Sequence, residues 1–450
     1  MRFPGAILTI LLCGNIVSAK TVSVHDTGGL TAALAQHSPG DSIILESGIY
    51  EGSFEIATPI VLIGNNNAII DGLGKSNVLS ISADSVVIEG ITIRNSGTRL
   101  LKDMAGLKIT GNHVTITNCK IEDILHGVYV KGGNSISILN NVIIGRFGIQ
   151  EADRGNGIHL WNTANNFIEG NDISYARDGI YFSFAHKTTV KNNHIHRLRY
   201  ALHYMYSNDN SFENNLFDYN VAGSALMYSK NIEFKRNIFA HCRGFRAYGI
   251  LLQSVDYLSA TDNLILDNTK GLFFDDANYC FFANNDIVQN DMALQINASC
   301  EENSFIGNNF ISNLAHCMMD ASIIENTYWA ENDRGNYWSD YDGYDLDNNG
   351  IGDIPHNLQN IFEYIESDNP AIRFYLYSPA SQLLAVAEKR LPILRKTAVQ
   401  DPYPLFEINA NDDVPWENSR SEYEGASLPH AVLWLTLALL PTVMILRMRK

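Results

Sequence analysis

VKNNHI (190–195), FENNLF (212–217) and FKRNIF (234–239) repeat one another at intervals of 22 residues. Each reads apolar-x-x-Asn-x-apolar. Outward along the chain the same slot recurs in ILNNVI, IEGNDI, TDNLI, ANNDI and GNNF. Its asparagines are Asn141, Asn171, Asn193, Asn215, Asn237, Asn263, Asn285 and Asn308, mostly 22 residues apart with excursions of 30, 26 and 23. Cys119 and Ile91 hold the slot more loosely upstream. A short period with alternating strands and Gly/Asn corners predicts an all-β solenoid, a right-handed parallel β-helix. Asparagines stacked at an inward corner would bond along the axis and satisfy corner backbone groups, a structural role. The segment 28–41 reads as a short helix capping the open N-terminal end, which protects the first edge from pairing with another chain.

A second column fixes which side chains face out. Small residues open three-residue strands at Gly106, Gly127, Gly157, Gly179, Ala201, Ala225, Gly249, Gly271 and Ala293. Successive strand side chains alternate faces. With Leu202 and Tyr204 inward, His203 and Met205 point out, and the outward column reads Lys108, Tyr129, His159, Tyr181, His203, Met227, Leu251, Phe273, Gln295. Rungs lie ~4.8 Å apart, which puts Met227 beside His203 and His159 two rungs away, while Met205 is ~6.7 Å along the strand. Two readings of this stripe stand. It is a packing face covered by another segment or partner, or it is a soft-metal site, since imidazole with thioether suits Cu(I). The candidate ligands are His159, His203, Met205 and Met227. The pair His194 and His196 follows the Asn corner and reads as a solvated edge.

Formal net charge is −17 and 46% of residues are apolar, which argues against a nucleic-acid binder and against disorder. Residues 1–19 read as a secretory signal ending Val17-Ser18-Ala19. The stretch 428–446 is nearly uncharged and approaches the ~20 residues of a membrane span, and the basic tail 447–450 is expected on the cytoplasmic side. Between them the expected organisation is a β-helix with its cap over 20–328, an extension over 329–405 and an acidic tether over 406–427. The extension holds an amphipathic helix from Ser381 interrupted at Pro392.

Of the cysteines after the leader, Cys280 and Cys300 fall near equivalent corners of consecutive turns, and rung spacing suits a disulfide. Within the extension, Asp345, Asp347, Asn349 and Asp353 match the front of a calcium loop, with His356 where the closing glutamate would stand. A weak Ca²⁺ site and an Asx-stabilised turn both fit.

The runs RGNGIHL (154–160), ARDGIYF (176–182), ALHYMYSN (201–208), ALMYS (225–229), GNYWSDYDGYDLDNNGIGD (335–353) and AVQDPYPL (398–405) resemble the NosD family, in order across about 250 residues. The resemblance implies a periplasmic, non-catalytic β-helix working with the ABC permease NosY and the ATPase NosF. It also implies contact with the copper-donating lipoprotein NosL and assembly of the copper–sulfur centre of nitrous oxide reductase, NosZ. The C-terminal span departs from a purely soluble member. The alternatives are a polysaccharide lyase, hydrolase or uronate epimerase, with Arg177, Asp178, Asp275 and Asp276 as candidate groups, and a passive adhesin or scaffold.

Overall fold

The computed structural model describes residues 19–410 except Asn66, Phe147, Ala298, 320–326, 359–374, 376–377 and 391–398. The expected leader up to residue 18, the tether from 411, the span 428–446 and the tail 447–450 lie outside the described residues. Among those described, no helix is long and apolar enough to cross a membrane.

The chain is a parallel β-solenoid of about 14 turns. Among the described residues, thirteen strands, from Gly48–Glu51 to Tyr337–Trp338, stack in parallel as one face, and the strands of the other faces join into a 24-stranded sheet. Each slot is followed by an inward apolar residue, so one core column runs Ile121, Ile143, Ile173, Ile195, Phe217, Phe239, Ile265, Ile287, Phe310, Trp338 in register. All of these are buried. Burying one such side chain is worth roughly 1.5–3 kcal/mol. The helix Thr27–Gln36 covers the N-terminal end, capped by the Asp26 carboxylate accepting from Gly29 N (2.7 Å) and burying Leu30.

The slot asparagines form one ladder. The backbone N–H of each donates to the side-chain carbonyl of the next, as in Asn171 to Asn193 (2.9 Å), Asn193 to Asn215 (3.0 Å) and Asn215 to Asn237 (3.0 Å). Each Nδ2 donates to an inward carbonyl, for example Asn193 to Ile168 O (3.0 Å). The residue before the slot is left-handed at Asn140, Asn192, Asn214, Arg236, Asp262 and Asn284. Asn, Asp and Gly tolerate that conformation best, which explains the recurrent Asn-Asn pair.

The solenoid runs further than residue 328. Asn336 occupies one more slot, accepting from Asn308 N (3.0 Å), and Tyr337–Trp338 pairs with Asn309–Ile311. This last turn spans 28 residues from slot to slot, and its inserted loop hides the period. The extension then returns, and the Asp401 carboxylate ends the ladder. It accepts from Asn336 N (2.7 Å) and Trp338 Nε1 (2.9 Å). The tether does not begin at 406. Asn409 stays docked, bonding Asn284, Gly307 and Asn309 at the last corners. The expected amphipathic helix spans Pro379–Arg390.

Cys280 and Cys300 are separate free thiols rather than a bridge. Cys280 N donates to Asn303 Oδ1 (2.9 Å), and Cys300 Sγ accepts from Ala277 N (3.4 Å). The two cysteines therefore stand in columns three residues apart, which sequence spacing near a corner conceals. Burial pushes the Cys280 thiol up to about 12, so it stays protonated.

Candidate metal centre on the outward stripe

Strands Asp178–His186, Tyr200–Met205 and Ala222–Lys235 lie side by side and carry the stripe. Register gives two outward columns. The first is Tyr129, His159, Tyr181, His203, Ala225, Leu251, Phe273. The second is Trp161, Ser183, Met205, Met227, Gln253, Asp275. Met227 is thus the axial neighbour of Met205, and Ala225 that of His203. The expected placement of Met227 was two residues out. The sequence offers Ala222, Gly223, Ser224 and Ala225 as four small residues, and the one equivalent to Ala201 is Gly223.

The column needs small residues at its base because turns approach closely there. A Cβ on Gly179 would sit 2.4 Å from Ile195 Cγ2 and 2.5 Å from Ala201 O. That pins the register and places His203, Met205 and Met227 around Ala225. Although it stands in the outward column, Ala225 is 0% exposed.

His203 is held by a carboxylate. Its Nδ1 lies 2.8 Å from Asp178 Oδ2, and Arg199 grips the same carboxylate through Nε (2.9 Å) and Nη2 (2.6 Å). Burial alone would raise the Asp178 pKa, but the bonds from His203 and Arg199 overturn this and hold it below the usual range. An ionised Asp178 accepting from Nδ1–H leaves the Nε2 lone pair free. This carboxylate–histidine arrangement is the one that orients metal-ligating imidazoles. Next to it, the Tyr181 hydroxyl donates to Met205 Sδ (3.6 Å), steadying the thioether. One imidazole nitrogen and two methionines in adjacent register, all half-buried, suit a soft monovalent ion, which loses less hydration energy on burial than a divalent one.

His159 does not join this group. The Tyr181 ring stands between it and His203, with centroids 4.7 Å from each. His159 instead meets His126, ring to ring at 5.3 Å, and Tyr129 at 4.6 Å. His126 was missed in the sequence, where it precedes the small residue Gly127 and looks like a turn position. Its Nδ1 accepts from Asn156 N (3.0 Å), so the proton sits on Nε2. Burial lowers His126 to about 4 and His159 to about 3.

The long spacings in the repeat have a structural origin here. The segments 97–104, 148–155 and 243–247 each enter just before a small-residue strand, at one corner of the solenoid. They rise beside the stripe, where Asp103 acts on Tyr129 and Glu151 on Arg199. Leu101, Ile149 and Phe245 are exposed on them.

The remaining candidates lie elsewhere. Asp345 accepts from Gly350 N (2.8 Å) and Asn349 N (3.1 Å), Asp353 from Leu346 N (2.8 Å) and Asp347 from Asn349 Nδ2 (3.0 Å). The calcium-like loop closes on its own hydrogen bonds, in the manner of Asx turns. Asp275 accepts from Asn297 (3.0 Å) and Asp276 from Ser254 (2.8 Å). Asp178, a candidate group of the enzymatic alternative, is taken up by His203 and Arg199.

A pH dependence follows from two histidines, the buried His126 and the half-buried His159. An unfolded histidine titrates near ~6.5. Below that, the unfolded chain binds protons that His126 and His159 do not bind in the fold, so stability falls as pH falls from about 6.5 towards about 4. Each residue contributes a slope of at most ~1.4 kcal/mol per pH unit. Denaturation midpoints measured across this range should decline for the native protein and decline less steeply for His159→Gln. An identical slope in the variant would contradict the burial assignment.

Comparison with known proteins gives the lineage. Residues 143–343 match the family described as "Periplasmic copper-binding protein (NosD)". The "Probable ABC transporter binding protein NosD" of Stutzerimonas stutzeri is 32% identical over 424 residues, covering 90% of this chain and 95% of the relative. The protein of the same name from Pseudomonas aeruginosa is 32% identical over 428 residues, covering 91% and 97%. Among solved structures, the N-terminal fragment of bacteriophage Phi29 gene product 12 is similar, with a TM-score of 0.56 and 12% identity over 67% of this chain and 62% of that one. So is the catalytic unit of an α-1,3-glucanase from Streptomyces thermodiastaticus, with a TM-score of 0.55 and 13% identity over 73% and 70%. At such identities these two speak for the fold alone. These two relatives, which match over 90% and 91% of this chain, are binding proteins by name, and on that relationship the chain belongs to the NosD family.

Proposed function

We propose that this chain is a periplasmic accessory protein of an ABC-transporter system and that it receives or hands on Cu(I) through His203, Met205 and Met227. The copper is cargo, not a resident cofactor. The observation that carries the reading is His203, its Nδ1 bound to Asp178 and its Nε2 free, beside two methionines in adjacent register and a buried alanine. A soft N/S/S donor set binds Cu(I) well and yet exchanges it readily with a partner bearing similar ligands. Transfer needs a partner within reach, and the apolar residues Leu101, Ile149 and Phe245 on the loops beside the stripe offer it a contact. The partners in this reading are the permease NosY with its ATPase NosF, the copper-donating lipoprotein NosL, and nitrous oxide reductase NosZ, whose copper–sulfur centre would be matured.

An anaerobic Cu(I) competition titration tests the assignment. The native protein should bind one Cu(I) at this site, and the double variant His203→Ala/Met227→Ala should lose more than about 100-fold in affinity while keeping its fold. Undiminished binding by the double variant would remove these residues as ligands. Binding by neither would leave docking and mechanical coupling to the transporter as the role of the chain.

A further inference from the structure

On a different face, the strands Asp172–Ser174, His194–His196 and Leu216–Asp218 stack in register. Outward residues there form two columns. Asp172, His194 and Leu216 make one, and Ser174, His196 and Asp218 make the other. The carboxylate of Asp172 reaches both histidines, 3.3 Å from His194 Nδ1 and 3.4 Å from His196 Nε2. The two rings stack with centroids 4.1 Å apart, and one ligand atom from each of the three residues lies within 4.8 Å of the others. His194 Nε2 meets Asp218 Oδ1 at 2.8 Å on the far side of its ring.

We infer that Asp172, His194 and His196 form a second metal site, one that takes a borderline divalent first-row ion such as Zn²⁺. Three features support it. A tetrahedral ion with bonds of ~2.0–2.1 Å sets its donors about 3.4 Å apart; Asp172 Oδ2 already stands 3.3 Å from His194 Nδ1 and its Oδ1 3.4 Å from His196 Nε2, so a small turn of the carboxylate brings a single oxygen to both. The donors are two imidazoles and a carboxylate with the fourth position open to water, a set that suits Zn²⁺ and offers no sulfur to Cu(I). Finally, Asp218 stands to His194 as Asp178 stands to His203. It accepts from one ring nitrogen and leaves the other to the metal.

In the absence of an ion the same residues make an ion-pair network, with His194 lying between Asp172 and Asp218. Loading the metal replaces the proton between Asp172 and the imidazoles. It also requires the exposed Arg197, now 3.3 Å from His196 Nδ1, to turn aside so that this nitrogen can carry the ring proton. The site ties together neighbouring turns of the solenoid. It lies apart from the soft stripe, so the two ions do not compete for ligands.

The test is a titration of the purified protein with Zn²⁺ by calorimetry, and with Co²⁺ as a spectroscopic probe. The native protein should bind one ion and give Co²⁺ the intense visible absorption of four-coordinate geometry. His194→Ala/His196→Ala should lose that absorption and more than about 100-fold in affinity, and Asp218→Asn should lose about 10–100-fold. His203→Ala/Met227→Ala should bind Zn²⁺ like the native protein, so failure of the Cu(I) reading and failure of this one are distinguishable. Retained binding in the double histidine variant, or six-coordinate Co²⁺ in the native protein, would overturn the proposal. So would no binding at all, which would leave the cluster as an ion-pair network only.

Discussion

Asp401→Ala should destabilise the C-terminal turns by about 3–5 kcal/mol. Asp401 is fully buried, and its carboxylate takes the N–H of Asn336 (2.7 Å), the indole N–H of Trp338 (2.9 Å) and the N–H of Tyr403 (3.1 Å). Each buried donor left unsatisfied costs roughly 1–3 kcal/mol. Burial raises the Asp401 pKa, and these donors work against that shift. Among the described residues nothing else in the ladder can substitute, because Asn336 is its last rung there and its own amide already serves Phe305 O and Trp329 O (2.8 and 2.9 Å). A solenoid unfolds by neighbouring turns rather than all at once. Amide exchange should therefore quicken first from about residue 303 to 338, before the N-terminal half responds. Asp401→Asn, which retains one acceptor oxygen, should cost less. Unchanged exchange in that segment for Asp401→Ala would show that the extension does not seal the end.

This sealing role was only half legible in the sequence. The slot asparagines announce themselves because each must sit after a left-handed residue and before an inward apolar one, two constraints that few residue pairs satisfy. Asn336 satisfies them too, but a loop inserted upstream stretches its turn to 28 residues and breaks the count. Nothing in QDPYP says that its aspartate will fold back 65 residues to meet Asn336, since long-range contact leaves no local period. The site shows the same division. Strand alternation put His203 and Met205 on the outer face. Register, however, depends on which small residue packs under the next turn, and among Ala222, Gly223, Ser224 and Ala225 the sequence does not mark it. His126 and Asp218 were overlooked, and Asp178 was weighed only as a candidate catalytic group, because turn-flanking positions carry polar residues for ordinary reasons. The pair His194 and His196 reads as a solvated edge until parallel stacking brings Asp172 beside it.

The coupling of Asp178 to His203 is the second large effect, and it separates a metal-orienting role from a structural one. Asp178→Asn removes the ionised acceptor that fixes the Nδ1–H tautomer of His203 while nearly keeping its volume. Cu(I) affinity should fall about 10–100-fold, the usual cost of losing such a partner. Asp178→Ala should in addition lose about 3–5 kcal/mol of stability, because Arg199 is left half-buried without its carboxylate. The cycle decides the matter. In a His203→Ala background, Asp178→Asn should have no further effect on Cu(I) affinity, because its influence passes through that imidazole. An equal loss in both backgrounds would mean that Asp178 acts on the pocket by its charge or its packing, and the free Nε2 of His203 would no longer explain the site. A loss confined to the native background would identify the Asp178–His203 pair as the element that presents nitrogen to copper, with Met205 and Met227 supplying the sulfur.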